Sequence, residues 1–398
     1  MYNQFRYMFH TFEKKRITVL IICPFFRPNI GGVETHLDRL LEYLSKNNYY
    51  TVLLTYQPLS NNLRGEKVEK GENYEIHRMQ WYGMGLFDKV ETKFLLVFTY
   101  VFPGLFVKTL IYYLKNHKKI DVIHAHGMVA ATIAMLCNFV IKKRLVISTH
   151  AVYMFENRKS ILRFLVRNIL KHFDKILAVS EVSRAELIKI GLPENKIECH
   201  RNWVDTDVFK PLNKDEIYIK SEKTRNFLMV SRFIEKKGVL LYLKAAEKIK
   251  NADFYLVGGG QLEEEVKKQA EKIPNLKYMG VLNQDVPEQR KILLSLYNLC
   301  DYFVSPYLYD EGYSITLCES ISCGTKAVVP KRGSPPTFLD DTVAIFMPPK
   351  INAEILATTL KTLLKTPKNE KSIKTCREYA LKNLGFSNAK IITDSYNE

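Results

Sequence analysis

Short apolar runs alternate with helical patterns along the whole chain, and this rhythm constrains the fold more than any other feature. In the first half the runs are Ile17 to Phe25, Thr51 to Tyr56, Asp121 to His126, Leu145 to His150 and Lys175 to Ser180, with helical segments such as Val33 to Leu44 and Glu181 to Ile190 between them. The second half repeats the rhythm with Asn226 to Val230, Asp253 to Val257, Lys277 to Val281, Tyr302 to Pro306 and Lys326 to Pro330. Apolar strands separated by helices pair in parallel and are covered on both faces, so the pattern predicts an α/β protein built of doubly wound sheets. The rhythm pauses at Arg201 to Lys214, which contains Pro211 and no sustained periodicity and reads as a linker. A chain of 398 residues is too long for one ordinary core. Two Rossmann-like domains are expected, residues 1–205 and 206 onward, facing across a cleft at the carboxyl ends of their strands, where open α/β sheets bind ligands.

Composition narrows the setting. The chain is 46% hydrophobic and 25% charged, as in a soluble globular protein. Its seven cysteines are scattered without CxxC or Cys/His ligand spacing, which points to a reducing compartment and no structural zinc. Met1 to Arg16 lacks the apolar core of a secretory signal, so the protein is expected to stay inside the cell. Phe94 to Leu114 is apolar except for Lys108 and nearly long enough for a bilayer, but Pro103 and Gly104 interrupt it. A buried or interfacial helix is expected there rather than a span.

Net charge is +17, with 29 basic against 17 acidic residues in positions 1–200. Arg158, Lys159, Arg163, Arg167, Lys171 and Lys175 interleave with Ile161, Leu162, Phe164, Leu165, Ile169 and Leu170, the pattern of a basic amphipathic helix. Such a face suits an anionic membrane surface, where each Lys or Arg is worth about 1 kcal/mol. The alternative is a solvated outer face whose apolar side packs on the core. No nucleic-acid recognition motif accompanies the charge, so no nucleic-acid partner is expected.

Chemistry concentrates at the predicted strand ends. Glu311-Gly-Tyr-Ser-Ile-Thr-Leu-Cys-Glu319 sets two carboxylates eight positions apart around the start of a helix. Backbone N–H groups of Ser314, Ile315 and Thr316 at that start would face a phosphate, flanked by Glu311 and by Glu319 about two turns in. Carboxylates hold sugar and ribose hydroxyls through charge-assisted bonds worth roughly 1.5 to 3 kcal/mol each in a dry site. A capped amphipathic helix with two solvated acids is the plainer reading of the same residues. Gly31-Gly32, opening the first helix, suit a close backbone approach to a phosphate or sugar, or a tight turn. His124, His126 and His150 close predicted strands, where ligands bind; core histidines are the alternative, and their spacing does not suggest a metal. Arg232 and Lys237 frame a strand end as a diphosphate clamp. Gly258-Gly259-Gly260 lacks the GxGxxG spacing, which excludes a dinucleotide site, and Asp205-Thr-Asp207 reads as a turn rather than a metal motif.

Taken together, Gly31-Gly32-Val33-Glu34-Thr35-His36, Asp121 to Gly127 (DVIHAHG), Arg201-Asn-Trp-Val-Asp205-Thr-Asp-Val-Phe209, Ser231-Arg232 with Lys237-Gly238, and the Glu311/Glu319 pair resemble the GT-B retaining glycosyltransferases of family 4, over nearly the whole chain. The resemblance implies that Arg232 and Lys237 bind the donor diphosphate, Glu319 the ribose, Glu311 the sugar hydroxyls, and His126 the sugar or its reacting end. It also implies that Gly31 and Gly32 approach the diphosphate and acceptor, and that residues from about 380, ending in Phe386-Ser-Asn, return to the first domain as a crossover helix. Transfer in this family proceeds with retention, without a cofactor or required metal, from a nucleotide-sugar. Two departures stand out: Arg201-Asn202-Trp203 where many relatives have Pro-Asn-Gly, and Gly333-Ser334-Pro335-Pro336 in a loop that often lines the donor pocket. The reading adopted is an enzyme transferring sugar to a glycan or lipid-linked acceptor, peripheral at the inner face of the cytoplasmic membrane. A transferase for a soluble acceptor, or a noncatalytic basic protein that binds membranes as part of a complex, are the alternatives.

Overall fold

The computed structural model describes residues 16–29, 31–59, 63–81, 94–150, 160–221, 223–284 and 286–397. The expectation about the amino terminus concerns residues outside this set, as do the cations Arg158 and Lys159. Two sheets divide the chain. The first holds β1 (Ile17–Ile22), β2 (Tyr49–Tyr56), β3 (Val68–Gly71), β4 (Tyr74–Met79), β5 (Val122–His126), β6 (Arg144–Thr149), β7 (Lys175–Ala178) and β8 (Ile197–Cys199), in the order β3-β4-β2-β1-β5-β6-β7-β8. The second holds β9 (Asn226–Val230), β10 (Asp253–Val257), β11 (Leu276–Tyr278), β12 (Tyr302–Val304), β13 (Lys326–Pro330) and β14 (Ala344–Met347), in the order β11-β10-β9-β12-β13-β14. Pairing is parallel except for the β3–β4 hairpin, whose turn places Asn73 at φ +67°.

Strand order reverses between β1 and β5 in the first sheet and between β9 and β12 in the second. At such a switch point the loops leaving the two strands diverge and open a crevice. The loops concerned are those after His126 and before Gly31 in one domain, and Ser231 to Lys237 and Ser305 to Ser314 in the other, so the topology gathers most of the candidate residues.

Helices cover both faces of the first sheet. On one side lie α1 (Gly32–Lys46) and the final helix Lys390–Asn397, whose Ile392 and Tyr396 join Val19, Ile21, Leu37 and Leu40 in one cluster. The chain therefore crosses back to its first domain. Tyr396 Oη and His124 Nδ1 are 2.6 Å apart, and Arg144 Nε donates to the Ser395 carbonyl at 2.6 Å.

The other side carries α2 (Phe94–Asn116), α3 (Met128–Val140) and α4 (Ser160–Leu170). Contrary to expectation, α2 runs through Pro103 and Gly104 without a break. Gly104 lies where a Cβ would meet the Trp81 ring at 2.3 Å, so its missing side chain serves packing. Val101, Leu105 and Tyr113 face the core, while Val107, Ile111 and Leu114 are exposed. The amphipathic expectation for α4 divides in the same way: Val166 and Leu170 are buried, whereas Ile161, Phe164 and Leu165 face outward.

Candidate functional site

Four segments converge on the cleft from the second domain. After β9, Ser231 to Gly238 turns through a short 3-10 segment, Glu235–Lys237. Gly238 ends this segment at φ +76°, and a Cβ there would lie 2.0 Å from the Pro306 carbonyl oxygen. Only glycine permits that approach, and the tight turn brings Lys237 to the loop after β12. There Lys237 Nζ meets Glu311 Oε2 at 2.5 Å, and Tyr309 Oη donates to the same oxygen at 2.7 Å. Lys236 and Lys237 both lie over the Tyr309 ring. Glu311 is buried, so its charge depends on these partners. The Gly333 loop seals it from behind: Ser334 N donates to the Glu311 carbonyl at 2.9 Å, and a Cβ on Gly333 (φ +64°) would fall 2.6 Å from Glu311 N. The departing Gly333-Ser334-Pro335-Pro336 segment thus packs against the acid itself.

The helix Ile315–Ser322 starts with Ser314 at its N-cap and no side-chain cap bond, so Ser314, Ile315 and Thr316 occupy its first turn as expected. Glu319 is its fifth residue, nearer the start than the sequence estimate of two turns. It is fully buried. Arg39 and Gln284 donate to its Oε1 at 2.8 and 3.1 Å, and Tyr297 Oη to its Oε2 at 2.9 Å. Arg39 comes from α1 and also donates to the Trp203 carbonyl at 2.7 Å, so one guanidinium joins both domains and the linker.

Across the cleft, Gly31 has an extended backbone (φ −178°) that any residue can adopt, and a Cβ at Gly32 would meet no atom within 4 Å. Neither glycine is demanded by a strained turn, and the space above Gly32 is open. Glu34 follows on α1. Burial raises its carboxyl above the ordinary range, opposed by its own backbone bond and by the nearby charge of Arg232. Arg232 therefore lies near the start of α1, beside the Gly31-Gly32 loop.

The histidines fall into two kinds. His124 is a core residue, its nitrogens bonded to Tyr396 Oη and Ser148 Oγ. His126 pairs Nδ1 with His150 Nε2 at 2.8 Å, while its Nε2 has no partner among the described residues. His36 from α1 joins them, with ring centroids 5.7 Å from His126 and 5.1 Å from His150. Burial, reinforced by their neighbouring imidazoles, holds His36 and His126 well below the usual histidine range, and burial lowers His150 to about 4. These rings are neutral at physiological pH. Spacing along the chain suggested no ligand set, because the third ring arrives from a different element.

Arg39, Gln284, Tyr297 and Tyr309 were not singled out from the sequence. Arg39 lies one turn beyond His36 on the buried side of α1, and an arginine among apolar core positions was the available signal. Asp205, in contrast, behaves as expected: its Oδ1 accepts from the backbone of Asp207 and Val208, closing a turn. Trp203 is buried edge-on against His36, so the Arg201-Asn202-Trp203 departure is a packing feature.

Comparison with known proteins agrees with this geometry. The model of Glycosyltransferase Family 4 matches residues 30–208 and that of Glycosyl transferases group 1 matches residues 212–382. The chain is 25% identical over 350 residues to a component of the phosphatidylinositol N-acetylglucosaminyltransferase of Arabidopsis thaliana, spanning 85% of this chain and 72% of the relative. It is 23% identical over 360 residues to the GPI3 component of the Saccharomyces cerevisiae enzyme of that name, spanning 87% and 75%. Among solved structures, sucrose-phosphate synthase from Thermosynechococcus elongatus superposes with a TM-score of 0.76 at 16% identity, covering 96% of this chain and 98% of that one. The chain belongs to the family 4 type of GT-B glycosyltransferases.

Proposed function

We propose that this glycosyltransferase moves a sugar, with retention at the anomeric carbon, from a nucleotide-sugar to a lipid-borne acceptor, working peripherally at the cytoplasmic face of a membrane. The observation that carries the lipid assignment is the outer face of α2, α3 and α4. Val107, Ile111, Leu114, Phe139, Val140, Ile161 and Phe164 are each at least half exposed there or close to it. Lys115, Lys118, Lys119, Lys142 and Lys171 lie exposed at the same helix ends. Apolar side chains rimmed by lysines match an anionic bilayer surface, and α2 is by length and composition the one described helix able to cross a membrane. The names of the plant and yeast relatives make a phosphatidylinositol-type lipid the first acceptor to test.

In the donor site, Arg232 and Lys237 would neutralise the diphosphate, with the first turn at Ser314, Ile315 and Thr316 adding backbone donors. Two fixed cations supply the charge that a metal supplies elsewhere, so a metal is not required. Glu311 would hold sugar hydroxyls and Glu319 the ribose, and Gly32 leaves room for the diphosphate and acceptor. His126 presents Nε2 to the sugar's reacting end. The acceptor hydroxyl would attack the anomeric carbon on the face from which the phosphate leaves. The new C–O bond forms as the old one breaks, and the proton passes to a departing phosphate oxygen, releasing nucleoside diphosphate.

Nucleoside diphosphate release from UDP-, GDP- and ADP-sugars tests this, with vesicles of phosphatidylinositol or of phosphatidylcholine alone, and with proton NMR of the product. Release from one donor, raised by the inositol lipid and giving a retained anomeric configuration, is expected. Turnover indifferent to lipid would overturn the acceptor class, and an inverted product would overturn the mechanism.

A further inference from the structure

Five imidazole nitrogens at the carboxyl edge of the first sheet have no hydrogen-bond partner among the described residues: both of His36, both of His200 and Nε2 of His126. All three residues are buried. An unsatisfied buried polar atom costs about 1–3 kcal/mol, and native proteins keep few of them, so His36 and His126, which adjoin His150, call for a shared partner that takes one nitrogen of each, while His200 lies outside that group. His36, His126 and His150 each bring a ligand atom within 4.8 Å of the other two. They come from α1, the end of β5 and the residue after β6, so the sheet and its first helix hold the group from three directions.

We propose that His36, His126 and His150 form a binding site for one divalent cation of the zinc class. The set consists of imidazoles alone. That donor type suits Zn²⁺, Co²⁺, Ni²⁺ and Cu²⁺, whereas Mg²⁺ and Ca²⁺ require oxygen ligands. Zinc–nitrogen bonds of about 2.0–2.1 Å put tetrahedral ligand nitrogens about 3.4 Å apart, so the widest pair has to close by no more than about 1.4 Å. The 2.8 Å hydrogen bond between His126 Nδ1 and His150 Nε2 gives way when the cation enters: two neutral imidazoles that share a proton cannot both turn their outer nitrogens to a metal, so His150 releases this bond and turns Nε2 to the cation. A hydrogen bond on one ring nitrogen fixes the tautomer and turns the opposite lone pair toward a metal. With the proton on Nδ1, His126 offers its unpartnered Nε2. The cation is not a participant in sugar transfer. It takes the lone pair that the proposed function gives to the sugar, so occupancy opposes turnover; this clause alone rests on that reading.

The test uses the full chain, stripped with a chelator and titrated with Co²⁺ while visible d–d absorption is recorded. One equivalent bound, intense tetrahedral bands, and displacement by Zn²⁺ are expected. His36→Ala and His150→Ala should each weaken Co²⁺ binding by about a hundredfold or more, with circular dichroism verifying the fold. His150 is only partly buried, so its truncation spares the core if His36→Ala does not fold. No bands with the wild-type chain, or bands unchanged in His150→Ala, would overturn the site. Co²⁺ binding that leaves nucleoside diphosphate release intact supports the site and instead overturns the role given to His126.

Discussion

Arg39 in the first domain and Glu319 in the second form an ion pair of 2.8 Å, with side chains 8% and 0% exposed. The pair is anchored on both sides, through the Trp203 carbonyl for Arg39 and through Gln284 and Tyr297 for Glu319. A carboxylate has about four acceptor positions and three are used here, which leaves one for the ribose hydroxyl that the proposed function assigns to Glu319.

Truncating Arg39 strands a buried charge. Arg39→Ala should destabilise the chain by about 3–5 kcal/mol, read by chemical denaturation. Arg39→Lys should recover little, because a single ammonium does not reproduce the two-pronged contact to Glu319 and Trp203. Full rescue by lysine would show that charge alone matters.

Lys237→Ala removes one of the two proposed diphosphate cations. Turnover should fall by about 10²–10³, as for loss of one preorganised donor to a departing anion. Melting temperature should also fall, because buried Glu311 then loses its ion pair and keeps the Tyr309 bond, while the folded state remains the stable one. Normal release of nucleoside diphosphate from the folded variant would end the clamp assignment.

At Gly333 the obstacle is backbone. Gly333→Ala places a methyl against Glu311 at a positive φ and should cost about 1–3 kcal/mol. It should also raise the donor KM, because Glu311 has to move. Denaturation curves and donor titration of the same preparation check both effects.

Exposed apolar residues predict the opposite pattern. Phe164 is 61% exposed, so Phe164→Ser should leave stability within about 0.5 kcal/mol of wild type. Binding to anionic vesicles should weaken, as co-sedimentation at low and high salt would show. Unchanged sedimentation would remove α4 from the membrane face.

Acid should loosen the β3–β4 hairpin. Burial pushes the Glu69 carboxyl up, but the bond from Arg78 and the charge of Arg27 outweigh it, so its pKa lies below the ordinary value. A depressed carboxyl stabilises the fold above its unfolded pKa of about 4.3 and loses that contribution as pH falls through the lower folded value. Wild type should therefore lose stability as pH falls below about 5 and through the lower folded value more steeply than Glu69→Gln, with no difference in slope above that range. Identical slopes for the two proteins would refute the link.

The apolar runs at β1, β5, β9 and β13 were readable because buried parallel strands are apolar on both faces. β3, β4, β8 and β14 went unread. β3 is largely exposed, β4 alternates with polar residues and β8 has only three residues, so these three present no continuous apolar run, while β14 is apolar but only four residues long. Gly31, Arg232, Lys237, Glu311 and Glu319 were legible since they sit at strand ends and helix starts, where local geometry already favours ligands. Arg39, Gln284 and His36 were not, because each acts on a partner from another element.

Local periodicity and short motifs by themselves determined the two doubly wound domains, the linker and the residues on the rim of the cleft. Those features depend on hydrogen bonding and burial within a few turns of chain. Tertiary structure alone decided which rim residues touch: that Lys237 meets Glu311, that Glu319 is held by Arg39 across the domains, and that three histidines share one pocket. Contacts between residues as far as 280 positions apart depend on how sheets stack and where loops diverge, and the order of residues along the chain does not encode that distance.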